Sequence, residues 1–169
     1  MASEKAGDGV VIRQAGVPAG GALHAALDAR ADVMAMTEDV HTAALTPADP
    51  GGLSHAERAA LAARIARIHA DEALAAHYLA LPAAAAAPTD LLATVADPAA
   101  MPADARLAAL CAFTDRVARD PRNATAADIE ALKTAGIADD DIVRLAELNA
   151  FLAYQIRLIA GLKLVGGTA

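Results

Sequence analysis

The densest run of residues able to do chemistry is His69-Ala70-Asp71-Glu72-Ala73-Leu74-Ala75-Ala76-His77-Tyr78. His69, Asp71, Glu72 and His77 are each capable metal ligands. Their spacing argues against a shared ion. No HxxxH or HxxEH pattern occurs, and the two histidines stand eight residues apart across a predicted helix break, so one helix does not present them together. No metal and no other cofactor is therefore expected. Each residue also has a structural reading. Asp71 suits a helix N-cap, His77 a hydrogen-bonded position at the edge of a core, and Tyr78 a packed ring with its hydroxyl near the surface. Cys111 is the single cysteine. It cannot form an intramolecular disulfide, and on an apolar helix face it reads as a small core hydrophobe. His24, His41 and His55 are scattered and carry no motif. Asn149, inside an apolar helix, calls for a buried hydrogen-bond partner in a pocket wall or an interface.

The elements that must position these residues are helices. Ser54-His55-Ala56-Glu57 is a capping box, after which Leu61, Ile65 and Ile68 recur at helical spacing. His69-Ala70-Asp71 breaks that helix, and Asp71 starts a second one. There Leu74, His77, Tyr78 and Leu81 share a face until Pro82 ends it. Upstream, residues 1–19 read as a loose arm with a short extended piece at Val10–Arg13. Residues 20–45 read as one or two helices, and Thr46–Gly52 as a loop. Downstream, Ala83–Pro88 reads as linker. Thr89–Val95 reads as a short helix capped by Thr89 or Asp90, and Ala103–Arg119 as a clear helix stopped by Asp120-Pro121. Thr125–Ala135 follows with Thr125 and Asp128 as a capping pair and Gly136 at the left-handed C-terminal position. Asp139, Asp140 and Asp141 open a last helix that runs to about Leu164. These boundaries give an all-α protein with one helical domain over residues 20–165 and a tail at 166–169.

Composition narrows the function classes. Hydrophobic residues make up 56% of the chain, mostly alanine and leucine, with 2% aromatics and no Trp. That favours helix over strand. Small side chains fill little volume, so association between copies would recover buried area, and a homo-oligomer is expected. The net charge of −7 argues against nucleic acid. The densest basic group, Arg58, Arg64 and Arg67, alternates with apolar residues and reads as a solvated helix face. The start MASEKAGDGV has acidic residues and no apolar core, so no signal peptide is expected. Charges at Arg144, Glu147 and Arg157 interrupt the last helix, which reads as amphipathic, so no membrane partner is expected. The lone cysteine fits a reducing, cytoplasmic setting.

The LSxxER opening at Leu53–Arg58, the helix behind it and the run DPRNATAADIEALKTAGIADDDIVRLAELNAFLAYQIRLIAGL together resemble the carboxymuconolactone decarboxylase/alkylhydroperoxidase-D superfamily. The nearest branch is that of the peroxidase-related proteins. Its T-x-x-D-x-x-x-L-x-x-A-G segment falls on Thr125, Asp128, Leu132, Ala135 and Gly136. Its last-helix aromatic falls on Phe151, and its Asn-Arg pair falls on Ile156-Arg157, with only the Arg kept. The resemblance spans about Gly52–Val165. It implies an all-helical, alkylhydroperoxidase-D-like bundle assembled as a dimer, trimer or hexamer.

Active proteins of that branch use a Glu, a Cys-x-x-Cys pair and a His four residues further on. The pair cycles between dithiol and disulfide while Glu and His relay protons. Laid on this chain, the Glu falls on Ala59, the cysteines on Asp71 and Leu74, and the His on Tyr78. All four are replaced, so dithiol peroxidase chemistry is expected to be absent. The decarboxylase branch instead keeps a His in a segment that Glu72–His77 loosely resembles. That resemblance implies His77 as general acid/base on a small-molecule carboxylate or lactone, with Glu72 and Tyr78 beside it as candidate catalytic residues. Three functions stay open: a binding or assembly protein with the thiol site lost, a non-thiol decarboxylase or lyase centred on His77, and a residual peroxidase using Cys111 alone.

Overall fold

A computed structural model describes residues 9–82 and 88–167. It is all-helical, with no strand among the described residues. The helices are α1 (Val10–Ala15), α2 (Ala22–Asp28), α3 (Ala31–Leu45), α4 (His55–Ile68), α5 (Glu72–Leu79), α6 (Thr89–Ala96), α7 (Ala105–Arg119), α8 (Ala126–Thr134) and α9 (Asp139–Gly166), with a 3-10 turn at Pro121–Asn123. The chain divides into two compact units. One runs up to Ala43 and resumes at Tyr154; the other is Ala44–Ala153.

The second unit is built on α4, which packs against α5, α6 and α7. Its alanines at 59, 60, 62, 63 and 66 are fully buried, with Leu61 and Ile65 almost so. A helix apolar on all sides belongs in the middle of a core, and alanine lets its neighbours approach closely. The capping box at Ser54 and Glu57 starts it as expected. The helix closes at His69, and Ala70 adopts the left-handed conformation (φ 59°) that turns the chain into α5. Asp128 accepts from both the amide and the hydroxyl of Thr125 at the start of α8. At its end, Gly136 takes a φ of 81° while Ile137 N–H reaches back to the Leu132 carbonyl.

Three expectations need correction. Val10–Arg13 is helical rather than extended, and Val10, Val11, Ile12 and Ala15 are buried, so this part of the arm is core. The start of α1 is held from a distance: Glu38 on α3 accepts the Val10 amide at 2.8 Å. Helix α6 is capped by neither Thr89 nor Asp90, because Pro88 occupies its N-cap. The third correction concerns Arg58 and Arg64, which are 2% and 0% exposed, not a solvated face. Ala83–Ala87 of the linker and residues 168–169 of the tail lie outside the described residues.

The last helix, α9, is long and apolar enough to cross a membrane by length and composition alone, with 44% of its most apolar window buried inside the protein. Core helices pass the same test. Leu145, Leu148, Leu152 and Ile159 of α9 are fully buried by protein.

Candidate functional site

The segment from Asp71 to Tyr78 is shaped first by its cap. The Asp71 carboxylate accepts the Leu74 amide at 3.0 Å, satisfying one of the orphan donors at the start of α5. Leu74, Ala75 and Tyr78 are fully buried, so this face of α5 is core and Tyr78, contrary to expectation, does not bring its hydroxyl to the surface. His77 is half-buried and sits against the Tyr78 ring, with centroids 5.4 Å apart and planes at 61°, an edge-to-face contact. Glu72 goes elsewhere. It is mostly exposed and lies 3.3 Å from Arg67 Nε. The three candidate catalytic residues are thus divided: His77 with Tyr78, Glu72 with Arg67.

Arg67, Glu72, Leu79, Ala93, Asp97 and Pro98 line an open groove of about 490 Å³ beside α5 and α6. Of the candidates only Glu72 is among these lining residues. The guanidinium of Arg67 also donates to the Ala96 carbonyl at 3.0 Å. Its ion pair with so exposed a Glu72 contributes little to stability. The groove presents one guanidinium and two carboxylates over an apolar wall. That suits a small polar molecule, and the groove's lining holds no Ser, Thr, Cys, His or Lys.

Sequence reasoning missed the arginines. Arg64 makes a bidentate pair with Asp115 (2.6 and 2.8 Å) and gives Nη1 to the carbonyls of Val95, Asp97 and Ala100. Burial alone would lower its pKa, but the Asp115 bond and nearby negative charge outweigh that and raise it. Arg58 donates to the carbonyls of Leu53, Ala44 and Pro50. Its pKa is lowered, first by burial and then by Arg144. The Ala44, Val95 and Asp97 carbonyls lie at the ends of α3 and α6, where a helix dipole favours a cation, while those of Pro50, Leu53 and Ala100 lie in loops. One signal was available: HAERAALAARIARI has no polar face for the arginines to share, so a solvated stripe was never complete.

Cys111, on α7, is fully buried. Burial pushes its thiol up to about 11, against a smaller downward pull from Arg64. At neutral pH it is therefore a thiol and not the reactive thiolate. Asn149 is buried. Its amide donates to the Leu145 carbonyl one turn back, and its Oδ1 has no hydrogen-bond partner among the described residues. Among the described residues no three His, Cys, Asp or Glu side chains stand together as a metal site.

No protein-family model, curated protein or solved structure matches this chain.

Proposed function

We propose that this chain is a carboxymuconolactone decarboxylase/alkylhydroperoxidase-like protein that has lost thiol peroxidase chemistry and acts by binding or assembly, as a cytoplasmic homo-oligomer. The observation that carries the reading is the bond between Asp71 and Leu74. The two residues at the family's cysteine positions are cap and capped amide of one helix. Ala59 and Tyr78, at the positions of its Glu and His, are fully buried. Residues once free to move protons and electrons have become scaffold in this reading. The buried, protonated Cys111 offers no substitute nucleophile.

The second reading, a non-thiol lyase centred on His77, draws on the groove that Glu72 enters. It ranks lower because His77 and Tyr78 are not among the residues lining that groove.

The test is consumption of an organic hydroperoxide with a dithiol donor. No turnover above the protein-free rate is expected. Turnover that disappears in Cys111→Ser would overturn the proposal in favour of a one-cysteine peroxidase. Turnover of a lactone or carboxylate substrate lost in His77→Ala would favour the lyase.

A further inference from the structure

The loop that ends α6 is held by two arginines of α4. Arg64, fully buried, gives Nη1 to the carbonyls of Val95, Asp97 and Ala100 at 3.1, 2.6 and 3.1 Å. Arg67, one turn further along α4, takes the Ala96 carbonyl at 3.0 Å. With its backbone fixed from one helix, the loop sets its side chains in place before any ligand arrives. Asp97 and Pro98 of this loop form a wall of the groove that Arg67, Glu72, Leu79 and Ala93 complete. Each groove carboxylate keeps one oxygen uncommitted. Asp97 accepts the Ala99 amide on Oδ1 at 2.9 Å, and its Oδ2 accepts no bond among the described residues. Glu72 meets Arg67 Nε through Oε2 at 3.3 Å, and its Oε1 accepts no bond among the described residues.

We infer that this groove binds a small organic ammonium ion with an apolar body. Asp97, helped by Glu72, takes the ammonium, and Leu79, Ala93 and Pro98 take the body. The inference rests on the binding half of the reading above and gives it a ligand class. Charge selects that class. The guanidinium of Arg67 is already met by Glu72 and the Ala96 carbonyl, so the lining as a whole carries one net negative charge, that of Asp97. An anion would face two carboxylates, and like-charge contacts exclude it. A neutral molecule would take water from the carboxylates without returning a charge to them. A hard metal ion takes six or more oxygen ligands, and among the described residues no three His, Cys, Asp or Glu side chains stand together. An ammonium carries three donors and one positive charge, which matches the two uncommitted oxygens and the net charge. The groove's volume of about 490 Å³ holds a small molecule, and its apolar wall distinguishes an alkylammonium from a bare cation. Asp97 and Glu72 are both exposed, so the attraction is screened by salt and the affinity is modest.

The experiment is an amide chemical-shift titration by NMR on the full chain at low salt. Its probes share one carbon skeleton: isoamylamine as the ammonium, isoamyl alcohol and isovalerate. Saturable shifts with the amine, confined to the amides around Arg67, Glu72, Leu79 and Ala93–Ala99, are the expected result, with no saturation by the other two. Asp97→Asn keeps an acceptor for the Ala99 amide and removes the charge, so it should weaken amine binding about fivefold with an unchanged thermal melt. Glu72→Gln should weaken it less. Amine binding that is unchanged in Asp97→Asn overturns the inference. So do amine shifts spread over other acidic segments such as Asp139–Asp141, which would mark attraction to the acidic surface at large. Isovalerate binding as tightly as the amine overturns it as well and moves the groove to the lyase reading. No saturation by the amine in wild type also overturns it, and leaves the loss of thiol chemistry, read from peroxide consumption, untouched.

Discussion

Arg58 and Arg64 lie on the same helix, both almost without solvent contact, and they meet the cost of burial in different ways. Arg64 has a carboxylate: Asp115 grips it with both oxygens and raises its pKa. Arg58 has three carbonyls and, among the described residues, no carboxylate bonded to it, and its pKa falls. One end of α4 therefore buries a neutral pair and the other a charge bonded only to carbonyls and attracted without a bond by Asp141, Glu147 and Glu57. A pair removed as a unit leaves little behind, whereas a pair cut in half leaves a bare charge. A cation on carbonyls leaves only polar groups, some of which water can reach.

The largest effect should come from cutting the pair. Asp115→Leu leaves the Arg64 guanidinium buried with carbonyls only, and a cost of about 3–5 kcal/mol is expected in urea unfolding. The double variant Arg64→Met/Asp115→Leu should cost less than the sum of the two single variants, because the residues act together. An additive result would show that Asp115 is not the partner that matters and would erase the contrast with Arg58.

Arg58→Met is next. It leaves the carbonyls of Ala44, Pro50 and Leu53 without this donor, which should cost about 1–3 kcal/mol. The Pro50 bond is only part-buried, so water can replace that donor. A loss as large as that of Asp115→Leu would break the comparison, since both ends of α4 would then depend equally on their cations.

Asp71 extends the contrast to a local bond. Replacing it with Ala removes the acceptor for the Leu74 amide and should cost about 0.5–2 kcal/mol, while Asn should cost much less because it still accepts that bond. Thermal melts of the two variants decide it. Equal melting temperatures for wild type and Asp71→Ala would remove Asp71 as a structural cap and weaken the proposed loss of function.

The smallest effect belongs to Glu38, the anionic counterpart in the other unit. Burial is the main cause of its pKa being raised above the ordinary 4.5, opposed by the Val10 amide and Arg13. The folded state therefore holds this proton more tightly than the unfolded state. The corresponding stability is fully present below 4.5 and is lost as pH rises through the higher folded value. Glu38→Gln keeps an acceptor for Val10 without the buried charge. Its stability relative to wild type should rise as pH climbs from acid to neutral. A difference that stays flat across that range would show that Glu38 is not desolvated.

The sequence alone determined where most of these helices begin and end. The Ser54/Glu57 and Thr125/Asp128 boxes, the Asp71 cap and Gly136 act over two to five residues, and such short-range chemistry is complete within the segment that carries it. The candidate site was legible only as residue types. That Glu72 would meet Arg67 depended on how α5 lay beside α4, whereas His77 meets its chain neighbour Tyr78 within α5. The roles of the arginines were further out of reach. Arg64 finds its carboxylate 51 residues away and a carbonyl 31 residues away. Val10–Arg13 took helical form where Glu38, 28 residues on, supplied an acceptor at the helix start. A buried cation or an uncapped helix end is unfavourable until its partner arrives. Only the tertiary structure brings that partner, because the segment itself contains nothing to satisfy it.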